Sequence, residues 1–85
     1  MTLHLTPDYA DLEVYRGFTI RGRLLDLDAK TQWEIQLCIG LNEPEGFVEK
    51  LPRIDRTTFK GDGALNLGMV ALAEARAAID DFVEH

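Results

Sequence analysis

The sequence predicts a single α+β domain: a three-stranded antiparallel sheet in the order strand-strand-strand-helix, with one long C-terminal helix packed on one face. Three observations lead there. Apolar and polar residues alternate from Trp33 to Ile39, a looser alternation runs from Val14 to Leu24, and apolar residues recur at helical spacing from Ala64 to about Val83. The length of 85 residues, with 46% hydrophobic and 28% charged, suits one globular unit with a small core.

At the start, Leu3-His4-Leu5 suits a short strand. Thr6-Pro7-Asp8 then reads as N-cap, first helical position and first-turn acid, so a short N-terminal helix ending near Leu12 is expected. In the next stretch Val14, Phe18, Ile20 and Leu24 form the apolar flank, and Thr19, Arg21 and Arg23 the polar one. The clearest alternation sets Trp33, Ile35, Leu37 and Ile39 against Glu34, Gln36 and Cys38. With Asp28-Ala29 at the tip of a hairpin, Leu24 faces Trp33, Ile20 faces Leu37 and Phe18 faces Ile39, while Arg23 meets Glu34 and Arg21 meets Gln36 outside. A one-residue slip would set apolar side chains opposite polar ones. No Asn-Gly or Asp-Gly pair marks the tip, so a longer loop within Asp26 to Gln32 is the alternative.

Asn42 to Gly46, with Pro44, reads as an exposed loop. The third strand is expected from Arg53 to Phe59, with Phe47 to Leu51 able to supply part of it and Pro52 confining one end to a sheet edge or bulge. Gly61-Asp62-Gly63 then turns the chain into the helix, with Asp62 as N-cap. At 100° per residue, Leu65, Gly68, Met69, Leu72, Ala75, Ile79, Phe82 and Val83 share one stripe. Gly68 admits close approach of helix to sheet, at about 1 kcal/mol of helix propensity.

Most catalytic chemistries lack their residues. The chain has no serine, and its histidines, His4 and His85, stand near opposite ends, which leaves no triad. Cys38 is mid-strand with no cationic neighbour in sequence and reads as an unreactive thiol. Asp26 and Asp28 lack the further oxygen donors of a calcium loop, and a helix would point the adjacent Asp80 and Asp81 about 100° apart. Gly61-Asp62-Gly63 lacks the lysine of a phosphate loop, and Asp62 would occupy the free amides itself. No enzyme, cofactor or metal is therefore expected. A single cysteine, no secretory leader and no apolar run near 18 residues make a cytoplasmic chain without a membrane partner the expectation.

Net charge is -6, which opposes broad attraction to nucleic acid. The acids cluster toward the ends, leaving the middle of the chain near balance with most of the arginines. A weak nucleic-acid binder using Arg16, Arg21 and Arg23, joined by Tyr15, is the alternative reading. Against it, Phe18 and Trp33 fall on the face the helix should cover, and Glu34 lies beside the arginines.

Three features of the helix ask for partners. Arg76 flanks the stripe and is expected to lay its stem on the core edge with its head toward water or Asp80. Asp80, Asp81 and Glu84 crowd the negative end of the helix dipole, at roughly 0.3–1 kcal/mol each. They serve solubility, meet a basic partner surface, or pair internally with a residue such as Arg53 or Arg56. Leu67 and Val70 make the first half of the helix apolar nearly all round. Either the N-terminal segment with Leu3, Leu5 and Tyr9 covers them, or a second copy does.

The hairpin, third strand and helix, with Gly61-Asp62 leading into the Ala-rich stretch Ala71 to Ile79, resemble the small sheet-plus-helix domain of HicB-type antitoxins over about residues 15 to 80. That resemblance implies a partner-binding module without catalysis. Members of that family usually add a DNA-binding segment, which this chain lacks, and Gly63 stands where their Ser or Thr is expected. The residues themselves lead to the same expectation: a module that binds another protein or itself, by a sheet edge or by the outer face around Arg21, Arg23, Glu34 and Gln36, with Leu67 and Val70 as a second contact.

Overall fold

A computed structural model describes residues 7–28, 32–59 and 64–84, the side chains at 27–28, 58–59 and 64–67 excepted. The expected Leu3-Leu5 strand, the Ala29 tip and the Gly61-Asp62-Gly63 turn lie outside the described residues. The observed class is α+β, with an antiparallel sheet followed by a C-terminal helix, and the sheet has five strands rather than three. These are β1 (Ala10–Tyr15), β2 (Phe18–Asp28), β3 (Gln32–Glu43), β4 (Gly46–Glu49) and β5 (Ile54–Phe59), with α1 at Ala64–Glu84.

The first extra strand comes from a turn inside the expected Val14 to Leu24 ribbon. Arg16 (φ 51°) and Gly17 (φ 87°) both adopt left-handed backbone, the pair of conformations a two-residue hairpin turn needs. The chain therefore reverses at once, and Tyr15 pairs with Phe18. The segment expected to end a short helix near Leu12 is instead part of β1. A bulge between Asp11 and Glu13 adds one residue to this strand, so Leu12 packs on the core while Glu13 reaches the helix. Val14, assigned to the core flank by alternation, pairs with Thr19 on the other face and is 69% exposed.

Along the central hairpin the register differs from expectation by two residues: Leu24 pairs with Ile35, Ile20 with Ile39, Arg23 with Gln36 and Arg21 with Cys38. An even displacement leaves every side chain on its expected face. The pairing nearest the tip, Asp28 with Gln32, is separated from Asp26 with Trp33 by a bulge.

The expected loop from Asn42 is shorter, since β3 continues to Glu43 and only Pro44 and Glu45 lie between it and β4. Proline's fixed φ suits the leading corner of such a turn. Beyond β4, the connector 50–53 carries two more residues than β3 spends over the same interval. Ile39 O accepts both Lys50 N–H (2.9 Å) and Leu51 N–H (3.3 Å) there, and Pro52 lies in this break. β4 thus pairs with Gly40–Glu43 and β5 with Gln32–Leu37, both along the same side of β3. Gly40 makes the crossing possible, because a Cβ there would stand 2.0 Å from Val48 O.

Helix and sheet meet over Ile20, Ile35, Leu37 and Ile39 from the strands and Ala71, Leu72, Ala75 and Ile79 from α1, all buried. Each fully buried Ile or Leu side chain among them contributes about 1.5–3 kcal/mol. Gly68 is buried as close approach requires. The stripe is rotated from the expected one toward Ala71 and Ala78, leaving Met69 61% exposed, Val83 exposed and Phe82 at the rim, edge-on to Phe18 with ring centroids 5.7 Å apart.

Ion pairs on both flanks accompany that rotation. Arg76 grips Glu13 of β1 through two hydrogen bonds, one of them Nε to Oε2 at 2.6 Å, rather than reaching water or Asp80 as expected. Asp80 accepts from Tyr15 Oη at 2.9 Å and from Arg16 Nη1 at 2.9 Å, and Glu84 lies 3.5 Å from the same guanidinium. Among the described residues, Arg16 is thus an internal partner of both Asp80 and Glu84, in place of the expected Arg53 or Arg56. Arg53 pairs with Glu49, and Arg56 with Glu74 on the other flank. Exposed pairs of this kind add little to stability, so their main effect here is orientation.

Gly40→Ala should cost about 1–3 kcal/mol or more in urea unfolding, because a backbone carbonyl blocks the new methyl. Gly22→Ala should cost less, since the clash there is with the movable tips of Leu37 and Leu12. The Arg76 guanidinium holds the Glu13 carboxyl below the usual carboxylate range. A depressed folded-state pKa contributes stability at neutral pH that disappears as pH falls through it. Thermal melts from pH 6 to pH 3 should therefore show a shallower loss for Glu13→Gln than for the parent.

Candidate partner-binding surface

The face of the sheet opposite α1 is built by alternation. Pairing places Arg21 beside Cys38 and Arg23 beside Gln36 across β2 and β3, with Glu34 one step further along β3. Four of the expected contact residues, Arg21, Arg23, Glu34 and Gln36, thus form one continuous patch. Gln36 is its hub: its Oε1 accepts from Arg23 Nε at 2.8 Å and Tyr9 Oη at 3.3 Å, and its Nε2 donates to Glu34 Oε2 at 2.6 Å. The Arg23 guanidinium lies over the Tyr9 ring, 4.5 Å from its centroid.

The remaining two expected residues do not join this patch. Val70 stands on α1, on the other side of the sheet, and is 56% exposed. Leu67 also belongs to α1, with its side chain outside the described residues. Tyr9, expected to help cover them, packs on the outer sheet face instead. Arg16 is likewise separated from Arg21 and Arg23, because the hairpin turn delivers it to Asp80 and Glu84.

Next to the patch lies a concavity of about 450 Å³ lined by Tyr9, Arg21, Cys38, Phe47, Glu49 and Arg53, together with Val48. The turn at Pro44-Glu45 carries Phe47 here, and the Arg21 guanidinium sits 5.3 Å from its ring centroid. Cation–π contacts at such partly exposed sites contribute about 0.5–1 kcal/mol, enough to restrict a long side chain. Arg21 Nε is buried and stands 2.9 Å from Asp11 Oδ1, with no aligned hydrogen-bond acceptor among the described residues. Arg53 Nε donates to Glu49 Oε1 at 2.8 Å.

Cys38 forms the buried floor. Burial first, and then its hydrogen bond to Glu49, push the thiol pKa up, so it is neutral at pH 7. That hydrogen bond, followed by the one from Arg53, holds the Glu49 carboxyl below its usual range. The site therefore offers cationic and aromatic groups around a thiol held in its protonated form.

Sequence reasoning missed Tyr9, Phe47, Glu49 and Arg53 as members of this site. Tyr9 shares parity with Asp11, a cue hidden by reading the segment as a helix. Phe47, Glu49 and Arg53 arrive only through the split edge of β3, which no local pattern announces.

No known protein family, curated protein or solved structure matches the chain significantly. No helix among the described residues is long and apolar enough to cross a membrane.

Cys38 should react with a thiol-selective disulfide reagent at least about tenfold more slowly in the native protein than in urea, since both burial and a raised pKa withhold the thiolate. Equal rates would show that the concavity floor is open to solvent.

Proposed function

We propose that this chain is a cytoplasmic, non-enzymatic protein-binding module whose recognition surface is the outer sheet face around Arg21, Arg23, Glu34 and Gln36. The observation that carries this reading is the concavity beside that patch, flanked by two arginine–aromatic pairs on the sheet face opposite the helix. Arginine and aromatic side chains are enriched where protein interfaces concentrate their binding energy. The acids Asp11, Glu34 and Glu49 lie among the arginines, which supports a protein partner over a polyanionic nucleic acid.

The face is favoured over an edge. β1 is blunted by its bulge and by Asp11 and Glu13, and the opposite side of β3 is shared between two short strands. The resemblance to the small HicB-type antitoxin domain, drawn from the sequence pattern, implies a partner-binding module without catalysis and does not choose between face and edge. Self-association through Met69 and Val70 of α1, both exposed, is a second reading of the same class.

Selection of displayed random peptides against the immobilised protein tests the proposal. Enriched peptides should lose at least about tenfold in affinity against Arg23→Glu and keep it against Val70→Glu, the size of effect that loss of one interfacial arginine contact produces. Peptides indifferent to Arg21→Glu and Arg23→Glu would overturn it, and a parent that sediments as a dimer abolished by Val70→Glu would move the interface to the helix.

A further inference from the structure

We infer that the concavity between Arg21 and Arg53 receives a carboxylate from an acidic segment of the partner protein, an inference that rests on the protein-binding reading above. Both guanidinium groups are fixed from one side only. Arg21 stands by its Nε against Asp11 and over the Phe47 ring, and Arg53 is held by its Nε on Glu49. Among the described residues no acceptor meets the Nη nitrogens of either. Arginine binds carboxylates through parallel donors in a planar fork, and a fork already held in place loses less freedom when the ligand arrives.

The pairing of Arg21 also limits which of its donors are open to a ligand. The buried Nε of Arg21 lacks an aligned hydrogen-bond partner despite its proximity to Asp11. That nitrogen is already ion-paired with Asp11 at 2.9 Å, so the edge of the guanidinium left for a ligand is the one that carries the Nη nitrogens.

The rest of the lining limits what that oxygen belongs to. Phe47 and the neutral Cys38 thiol supply an apolar wall and floor for the stem of one side chain. A volume of about 450 Å³ accommodates a side chain and the adjoining backbone. Asp11 and Glu49 stand beside the two arginines and would repel the second and later charges of a string of phosphates, whereas one carboxylate need meet only the Nη edges of the two guanidinium groups. A single carboxylate flanked by apolar groups uses the arrangement fully.

The test is titration of the ¹⁵N-labelled full chain with a blocked hexapeptide alternating leucine and glutamate, with its glutamine counterpart, and with an oligothymidine dodecamer. The backbone amides of Arg21, Cys38, Phe47 and Val48 should shift and saturate with the glutamate peptide, at an affinity at least about fivefold tighter than for the glutamine peptide, as charge-assisted pairing requires. Arg53→Gln, at an exposed position in a connector, and Arg21→Gln should each bring the two peptides toward equal affinity. Val70→Glu should not, and unchanged melting of Arg53→Gln establishes that its fold is intact. Equal saturation by both peptides overturns the carboxylate receptor while leaving the outer face as a protein-binding surface. Absence of saturable shifts at these amides with either peptide also overturns the receptor, the broader reading then being judged by the displayed-peptide selection. Saturation by oligothymidine alone overturns both in favour of nucleic acid.

Discussion

The contact of Ile35, Leu37 and Ile39 with Ala71, Leu72, Ala75 and Ile79 organises this protein. Among the described residues β3 is the strand with the most neighbours, β2 along one side and β4 and β5 sharing the other, while β1 pairs only with β2. Because its side chains alternate strictly, committing one flank to the helix commits the other to the opposite surface. The buried core and the candidate recognition face are therefore two sides of one strand, and neither can be displaced by a single register step without exchanging them.

Splitting the far edge of β3 gives that second surface its shape. An uninterrupted partner strand would leave a smoother sheet, whereas two extra residues in the connector, with Pro52 among them, divide the edge. One part brings Phe47 and Glu49, and the connector brings Arg53. Gly40 lets the β4 backbone approach so closely that any larger residue would meet the Val48 carbonyl. The concavity is thus a consequence of backbone geometry, to which the side chains around Cys38 then give cationic and aromatic character.

The polar contacts around the helix act differently from the core. Burial of a few large aliphatic groups outweighs any exposed ion pair, so the hydrophobic contact holds α1 down. It does not by itself select one rotation of a helix that is apolar nearly all round in its first half. Arg76 with Glu13, Asp80 with Tyr15 and Arg16, and Glu74 with Arg56 together favour the observed one. Asp80 and Glu84, unfavourable toward the dipole, find compensation in Arg16 at the first hairpin turn.

Much of this architecture was legible in the chain. The alternation in β3 identified its buried and outer residues even though the hairpin register differed by two, since an even displacement preserves parity. The helix limits, Gly68 in the interface, and the joint placement of Arg21, Arg23, Glu34 and Gln36 followed from periodicity alone. Less visible was the Arg16-Gly17 reversal, because arginine is an uncommon residue in left-handed backbone and the flanking apolar pattern ran through it. Once that turn is in place, β1 pairs, the bulge sets Leu12 and Glu13 toward the helix, and Tyr9 falls on the outer face. The amino-acid sequence by itself determined which residues can share a face, because that depends only on local period. Tertiary structure decided which faces meet, which arginine answers which acid, and where the concavity forms, because those depend on long-range pairings that no local pattern encodes.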